Sequence, residues 1–247
     1  HLIEPVAQMI WSTKGSSALP NEDSALVEFD EGNLFALNRF PGEDAVERGF
    51  RANLGVSYLR VDPAGWTMGV TAGRVVRAED PLQFSVGSGL AGVNSDWLAA
   101  FQIKTGAGLQ LTSRFLVDDD LNVTKGELRL GTAGKRYSLD MGYVQAVADP
   151  AESRPLPTRE LTLESSFKLS EGWTANLAGR YDLEAERAAR AGVGLSFRNE
   201  CLAVDLSLSR RFTSSTSVTP TTDFGLSVAL LGFGGGGAAG PARQCRQ

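Results

Sequence analysis

The sequence is poor in the residues that most metal and acid–base sites require. Its 247 residues include one histidine, His1, and two cysteines, Cys201 and Cys245. This count excludes a His/Cys metal cluster, a Cys-x-x-Cys pair and an internal histidine base. Because a nucleophilic serine is weak at neutral pH without such a base, we expect a protein that is not an enzyme and needs no cofactor.

The sequence also lacks an excess of positive charge and long apolar runs. Its net charge is −5, and a nucleic-acid partner is not expected because phosphate binding requires a basic surface. No apolar run approaches the ~18 residues of a membrane-spanning helix, so a helical membrane protein is excluded. The hydrophobic fraction of 42% decides nothing by itself, because soluble domains have similar values.

What the sequence does contain is a repeated alternation of apolar and polar residues, which is typical of strands with two different faces. Segment 202–211 shows it most clearly, with Leu202, Val204, Leu206 and Leu208 facing one way and Ala203, Asp205, Ser207, Ser209 and Arg211 facing the other. About twelve such segments are predicted: 2–12, 50–61, 65–77, 96–106, 108–117, 121–132, 136–148, 160–170, 173–184, 187–199, 201–212 and 222–233. Strands of soluble proteins average ~5–6 residues, whereas a strand that crosses a membrane needs ~9–11. The lengths therefore favour a membrane.

The connections between these segments carry a second signal. Tight turns alternate with connections that include all four long loops, at 13–49, 78–95, 149–159 and 213–221. Outer-membrane barrels have short periplasmic turns and longer outside loops, so loop length depends on loop parity. If the C-terminal end is periplasmic, all four long loops lie outside the cell.

These patterns predict an all-β fold, an antiparallel transmembrane β-barrel of about twelve strands that forms the C-terminal half of a larger barrel. The barrel portion covers 1–234, and 235–247 is a flexible Gly-rich periplasmic tail. A soluble β-sandwich also alternates apolar and polar residues. It is disfavoured by full charges on the polar face and by aromatic residues near the ends of the apolar face. The charges are Lys104, Arg114, Glu164, Lys168, Arg180, Arg198 and Asp205, and the aromatics are Trp11, Phe50, Trp66, Trp97, Tyr137, Trp173 and Phe233.

The two cysteines fall on the same side of this barrel. With a periplasmic C-terminus, Cys201 lies at the periplasmic rim and Cys245 lies on the tail. The periplasm is oxidising and permits disulfides. Two interpretations stay open: incidental thiols, or a covalent tie in which Cys201 bonds either to Cys245 or to a segment outside this chain.

Several runs of residues resemble a known family. The runs Phe197-Arg198-Asn199-Glu200-Cys201-Leu202-Ala203-Val204 and Ser209-Arg210-Arg211-Phe212 resemble a late-barrel segment of the LPS-assembly outer-membrane protein family, LptD. Asn38-Arg39-Phe40-Pro41-Gly42-Glu43-Asp44 is similar to a loop motif of that family, and Leu2-Ile3-Glu4-Pro5 to the strand before it. The segment from Asp223 to Gly234 is similar to the closing strand. The resemblance runs in order along nearly the whole chain.

The resemblance implies a protein of the Gram-negative outer membrane. In that family a barrel of about twenty-six strands follows a periplasmic jelly-roll domain. A plug lipoprotein of the LptE type sits inside the barrel, and a periplasmic bridge protein of the LptA type delivers lipopolysaccharide (LPS). The LPS leaves sideways between the first and last strands and inserts into the outer-leaflet lipid. This chain would then be the C-terminal half of the barrel.

The resemblance also implies roles for particular residues. The lateral-gate strand consists of Phe224, Gly225, Leu226, Ser227, Val228, Ala229 and Leu230, and the family loop motif of Asn38, Arg39, Phe40, Gly42 and Asp44. In the family two adjacent cysteines near the late turn bond to the N-terminal domain. Here the residue before Cys201 is Glu200, so one of the two bridges is lacking or is replaced, for example through Cys245.

Two other functions remain as alternatives. A passive porin or substrate-specific channel would have a constriction loop folded inside the barrel and a trimer contact face, and loop 13–49 is long enough to fold inward. A soluble β-rich binding module would remain in the soluble fraction without detergent. The LPS translocon, by contrast, has a barrel filled by another protein.

Overall fold

The computed structural model describes residues 1–13, 26–213 and 219–231. Its twelve strands are β1 Leu2–Ser12, β2 Gly49–Val61, β3 Thr67–Arg77, β4 Trp97–Lys104, β5 Leu109–Val117, β6 Val123–Ala133, β7 Tyr137–Ala146, β8 Thr158–Lys168, β9 Trp173–Asp182, β10 Arg187–Arg198, β11 Leu202–Arg211 and β12 Thr221–Leu230. Two short 3-10 turns, Val86–Ser88 and Pro150–Glu152, lie in connections. Among the described residues, no helix has the length and apolar character needed to cross a membrane.

The strands form one sheet in the order of the sequence, from β1 to β12, which confirms the predicted all-β class. Every register that is resolved joins antiparallel neighbours. The chain divides into two compact units. One contains His1–Leu130 and Gly142–Arg159, and the other contains Gly131–Met141 and Glu160–Gln247.

The four long connections all fall in the same alternate set, as the sequence predicts. The short ones are 62–66, 105–108, 134–136, 169–172 and 199–201, and between them fall 13–48, 78–96, 118–122, 147–157, 183–186 and 212–220. Consecutive strands run antiparallel, so alternate connections come at opposite ends of the strands. We call these the short-turn end and the long-loop end. The sorting of loop lengths is that of an outer-membrane barrel.

The strands have two chemically different faces, and the register of β11 with β12 shows this residue by residue. On one face apolar residues oppose apolar residues: Leu202 and Leu230, Val204 and Val228, Leu206 and Leu226, Leu208 and Phe224. On the other face the pairs are Ala203 and Ala229, Asp205 and Ser227, Ser207 and Gly225, Ser209 and Asp223. We call the first the outward face and the second the inward face. Because large apolar side chains on the outward face are well exposed, this face fits contact with lipid.

Aromatic residues lie at both ends of the strands. Near the long-loop end are Trp11 and Phe50, which oppose each other across β1 and β2, and Trp97 at the start of β4. Near the short-turn end are Trp66, Tyr137 and Trp173, the last with its ring 4.9 Å from that of Phe197. Two aromatic levels of this kind are typical of the girdles that flank the apolar band of a membrane barrel. Phe233 lies outside the described residues.

The sheet contains a bulge that the sequence does not reveal. The register of β10 with β9 shifts between Ala188 and Arg190, so that Ala189 is an extra residue. Its carbonyl accepts a hydrogen bond of 3.1 Å from the backbone of Phe212 instead. Ala188 is opposite Tyr181 and Arg190 is opposite Arg180, so the bulge lies between these two pairs. Bulges of this kind redirect side chains locally.

The two faces predict a large difference between neighbouring substitutions in β9. Leu177 is outward and opposes Val193, while Asn176 is inward and opposes Gly194. We expect Leu177→Arg to destabilise the membrane-inserted full-length protein by about 2–4 kcal/mol, because it places a charge against lipid. Asn176→Arg keeps its charge on the polar face and should cost less than about 1 kcal/mol.

Urea unfolding in lipid vesicles, followed by the heat-modifiable gel shift, measures both variants. Equal losses for Leu177→Arg and Asn176→Arg would contradict the assignment of the two faces.

Candidate functional site

The first long connection does not extend away from the sheet but lies on its inward face. Residues 26–48, which we call the docked loop, pack there over β2 to β5. The core that they form consists of Val27, Phe29, Leu34, Phe40, Val75, Leu90, Leu98 and Leu116, with Phe35, Ala45 and Phe84 packed against it. The outward neighbours Leu54 and Val56 on β2 remain exposed. The loop therefore fills space on the side of the sheet that faces away from lipid.

Two glycines allow the docked loop to approach the sheet closely. Gly55 and Gly73 oppose each other across β2 and β3. A Cβ atom at Gly55 would lie 2.8 Å from Leu34 Cδ2, and one at Gly73 would lie 2.5 Å from the same atom. Because these distances are shorter than any ordinary contact, a side chain at either position would displace Leu34, which is completely buried.

Three residues of the family loop motif determine the shape of the docked loop. The Asn38 side chain donates to the Ala45 carbonyl (2.8 Å) and accepts from the Glu47 amide (3.1 Å), which closes the turn between them. Gly42 has a φ of 86°, a left-handed conformation that favours glycine. Phe40 stacks on Phe84 of the next long loop, with ring centroids 5.2 Å apart.

Arg39, the fourth motif residue, is buried beneath the loop. Its guanidinium donates to the Glu47 carboxylate at 2.6 Å, to the Leu34 carbonyl at 2.5 Å and to Asn53 Oδ1 on β2 at 3.0 Å. Burial lowers the pKa of Arg39 from its ordinary value, while the Glu47 charge raises it. The fifth motif residue, Asp44, is exposed at the surface.

Glu47 is the centre of this arrangement. Its carboxylate meets three arginines: Arg39 at 2.6 Å, Arg77 at 2.9 Å and Arg51 at 3.6 Å. The side chains of all four are almost completely buried. We call these four residues the glutamate–arginine cluster. One carboxylate balances three guanidinium groups, so the carboxylate is indispensable: a buried charge without a partner is strongly unfavourable.

The arginines of the cluster also donate hydrogen bonds to backbone carbonyls of the long loops. Arg51 donates to the carbonyl of Leu37, and Arg77 donates to those of Leu90 (2.9 Å) and Gly92 (3.3 Å). Carbonyls of irregular backbone need partners when they are buried. The arginines supply them, and in doing so they attach the docked loop and loop 78–96 to β2 and β3.

A second, more exposed ion pair holds the N-terminal part of the docked loop against the sheet. Arg114 on β5 donates two hydrogen bonds to Glu31, at 2.6 and 2.8 Å. This bidentate hydrogen bonding holds the pKa of Glu31 below its usual range. Because both side chains are about one-third exposed, water screens this pair and its contribution is modest.

The residues of the predicted loop motif lie beside a cluster that was not predicted. The structure brings Asn38, Arg39 and Phe40 together with Glu47, Arg51 and Arg77, three residues that sequence reasoning missed. The available signal was the presence of Arg51 and Arg77 at inward positions, where they oppose each other in register. Two like charges on facing positions require a compensating anion.

The residues of the predicted gate strand lie in β12, which ends at Leu230. Its outward residues Phe224, Leu226, Val228 and Leu230 are among the most exposed apolar side chains, and its inward residues are Gly225, Ser227 and Ala229. β12 is the last strand in the order of the sheet, as β1 is the first.

Cys201 lies in the short turn between β10 and β11, as predicted, and it is disulfide-bonded. The backbone amide of Cys201 donates to Asn199 Oδ1 at 2.9 Å, so the turn is ordered by its own residues. Cys245 and the predicted tail lie outside the described residues.

The acidic run Asp118-Asp119-Asp120 forms a self-contained turn. Asp118 accepts hydrogen bonds from the amides of Asp120 (3.0 Å) and Asn122 (2.8 Å). Within the part of the chain that the structure describes, no group of three or more His, Cys, Asp or Glu side chains is arranged to hold a metal ion.

With this geometry in view, comparison with known proteins identifies the family. The family model LptD, described as LPS transport system D, matches residues 1–166. The chain belongs to this family. It is therefore part of a Gram-negative outer-membrane protein. The family membership predicted from the sequence motifs is confirmed. The matched segment contains the docked loop and all four residues of the glutamate–arginine cluster.

Individual relatives are similar along most of this chain. LPS-assembly protein LptD of Nitrosomonas eutropha is 24% identical over 83% of the chain, that of Psychrobacter cryohalolentis 22% over 95%, and that of Burkholderia cenocepacia 23% over 94%. The alignments cover only 28%, 24% and 30% of those proteins, so the chain spans about a quarter of their length. Among solved structures, a mutant porin of Rh. blastica matches 76% of the chain and 82% of its own, with a TM-score of 0.38 and 11% identity. At this level the similarity adds nothing to the fold described above.

Removing the central carboxylate of the cluster should release the docked loop. We expect Glu47→Gln to destabilise the docked conformation by about 3–5 kcal/mol, because three buried arginines lose the carboxylate that they share. Glu31→Gln, which removes the exposed pair with Arg114, should cost no more than about 1 kcal/mol. The measurement is the urea concentration at which a protease begins to cleave within residues 26–48 of the folded full-length protein. A Glu47→Gln protein as resistant as Glu31→Gln would show that the cluster does not hold the loop.

Asp96, just before β4, should give the long-loop end a distinct pH response. Burial raises the pKa of Asp96, and repulsion from Asp118 and Asp119 adds to the effect, although the Thr124 hydroxyl donates to the carboxylate. Because folding raises the pKa of Asp96, the protonated carboxyl stabilises the folded state relative to the charged one. This stabilisation is complete below the ordinary carboxyl pKa and is lost as the pH rises through the raised pKa.

Asp96→Asn should therefore be more stable than the parent protein at pH 7, with the difference disappearing below about pH 4. Asp118→Asn should act in the opposite direction, because the backbone amide of Asn122 holds the pKa of Asp118 below its usual range. The thermal unfolding temperature of each variant is measured in the full-length protein at pH 3 and at pH 7. A stability difference for Asp96→Asn that is the same at pH 3 and pH 7 would refute this assignment.

Proposed function

We propose that this chain is a barrel-wall portion of an outer-membrane translocon that assembles LPS in the outer leaflet. The observation that carries the proposal is a sheet of long, two-faced antiparallel strands in a chain of the LPS transport system D family. The outward face meets lipid, and the polar inward face supplies a path for a hydrophilic head group. No step needs a reacting side chain, so transport relies on surfaces and on the opening of the sheet.

In this proposal β12 forms one side of a lateral seam through which LPS leaves. β12 is held to β11 by ten register pairs, so the weak edge is the opposite one. The side chains that β12 presents on the inward face are small, namely Gly225, Ser227 and Ala229, and they offer little to interlock with another strand. An edge of this kind can pair with a neighbouring strand through its backbone and separate from it again.

The docked loop closes part of the inner space in this proposal. Its buried core and the glutamate–arginine cluster fix it to β2 and β3, so it acts as a permanent filling, not as a moving gate. A plug lipoprotein of the LptE type would occupy further inner space, and a periplasmic bridge protein of the LptA type would deliver LPS. A disulfide between Cys201 and Cys245 would attach the tail to the short-turn rim, which is consistent with the bonded state of Cys201.

A passive porin is the second candidate, and one observation favours it. A constriction loop folded against the inward face is what a porin requires, and residues 26–48 are folded in this way. Family membership favours the translocon instead, because the matched family is an LPS transport system. A porin would conduct small solutes continuously, whereas a translocon with a docked loop and a plug would not.

A pair of engineered disulfides tests the seam. In the full-length protein, Ser227→Cys is paired with a cysteine on the first barrel strand, which locks the seam. The control pairs Ser207→Cys with Gly225→Cys, which locks β11 to β12 where they are already in register.

We expect the seam lock to abolish the appearance of LPS at the cell surface under oxidising conditions and a reductant to restore it. The control lock should leave export unchanged. Normal export with a fully oxidised seam lock would contradict the translocon mechanism.

A further inference from the structure

The second compact unit contains an unusual row of arginines on its inward face. Arg190 on β10 opposes Arg180 on β9 and also opposes Arg211 on β11. We call these three residues the arginine row. Like charges directly opposite each other on neighbouring strands repel, so such a row is unfavourable unless an anion compensates it.

The bulge in β10 lies directly beside the arginine row. Arg190 is the last residue of the register that pairs β10 with β9 from Phe197 onward, and Ala189 is the extra residue between Arg190 and Ala188. Bulges are over-represented next to functional sites.

The protein itself compensates little of this charge. Arg180 is within 3.3 Å of Glu160, and its side chain remains 55% exposed. Arg190 and Arg211 are exposed, and within residues 1–13, 26–213 and 219–231 neither forms an ion pair. Asp182, the next inward residue of β9, accepts from the amides of Glu184 and Ala185 at 3.0 Å.

The row borders a groove of about 780 Å³ on the inward face of β8 to β11. The next register row toward the short-turn end consists of Ala178, Gly192 and Ser209, and the row after it of Asn176, Gly194 and Ser207. Most of these side chains are small and leave an open hollow below the guanidinium groups. The carboxylates of Glu164 and Asp223 lie at the two sides of that next row, not in its middle.

We propose that the arginine row is a binding site for the phosphate groups of the glycolipid that the translocon moves. The proposal rests on the proposed function and extends it to a particular site. Guanidinium groups bind phosphate by paired, charge-assisted hydrogen bonds, and adjacent arginines suit a head group with more than one phosphate. Arg211 opposes Thr221 at the start of β12, so the site lies beside the strand that forms the seam. It holds the head group on the inward face at the long-loop end before the lipid moves sideways.

The test compares the row with a matched arginine on the other face. Arg210 is the sequence neighbour of Arg211, but it is outward and its guanidinium lies 5.3 Å from the ring centroid of Phe212. A photo-crosslinking residue replaces Ser209 in the full-length protein, purified with its plug partner. LPS, dephosphorylated LPS and inorganic phosphate as competitor are the probes, applied to the parent, to Arg190→Gln/Arg211→Gln and to Arg210→Gln.

We expect the double variant to reduce crosslinking of LPS at least about tenfold, the effect of losing one or two charge-assisted hydrogen bonds, and Arg210→Gln to leave it unchanged. Dephosphorylated LPS should crosslink as weakly to the parent as LPS does to the double variant. Inorganic phosphate at millimolar concentration should compete only weakly, because a single phosphate engages part of the row.

Four results would overturn the proposal. Equal crosslinking of LPS to the double variant and the parent would show that the row does not bind the head group, while leaving the translocon function intact. Strong competition by inorganic phosphate would assign the row to the free ion. Loss of the plug partner from the purified double variant would assign it to a protein contact. If LPS crosslinks to none of the proteins and the seam lock also leaves export normal, the proposed function fails together with this site.

Discussion

The constraint on which the structure depends is that every backbone polar group inside a membrane must be hydrogen-bonded within the protein. A sheet satisfies it only along paired strand edges, so the strands must be long, neighbours must pair in sequence order, and edges are costly. The observed order from β1 to β12 obeys this requirement. The first and last strands, β1 and β12, each have one edge that needs a further partner inside a bilayer. A seam is the one place where a barrel can meet this constraint reversibly.

The same constraint moves irregular backbone and charge to the inward face. There the docked loop contributes the carbonyls of Leu34 and Leu37 and loop 78–96 that of Leu90, and each accepts from an arginine of the cluster. The two compact units use arginine in different ways. In the first, Glu47 and loop carbonyls surround the guanidinium groups, so they serve to fix the loop. In the second, the arginine row is exposed beside a groove and only Arg180 of the row pairs with a carboxylate among the described residues, so the row suits a ligand.

The number, order and faces of the strands could be predicted from the sequence, because period-two alternation and turn residues are local properties. Strand ends were placed to within about three residues, the largest difference being at β12, which ends at Leu230 and not at 233. The parity of loop lengths could be predicted for the same reason.

What could not be predicted depends on register between strands. Arg51 and Arg77 are 26 positions apart in the sequence, and only pairing of β2 with β3 shows that they share one carboxylate. The bulge at Ala189 is equally invisible, since an extra alanine does not interrupt the alternation in an obvious way. The motif residues Asn38 and Arg39 were found through family resemblance, but their role in fixing the docked loop follows from contacts alone.

The central claim is that one face of every strand meets lipid while the other faces a polar interior. Spin labels placed singly at each position from 202 to 211 in the full-length protein, reconstituted in lipid vesicles, test it most directly. The account predicts that collision with oxygen dissolved in the lipid peaks at positions 202, 204, 206 and 208, and that collision with a water-soluble nickel complex peaks at the positions between them. Accessibility without this period of two, or with the two reagents exchanged, would contradict it.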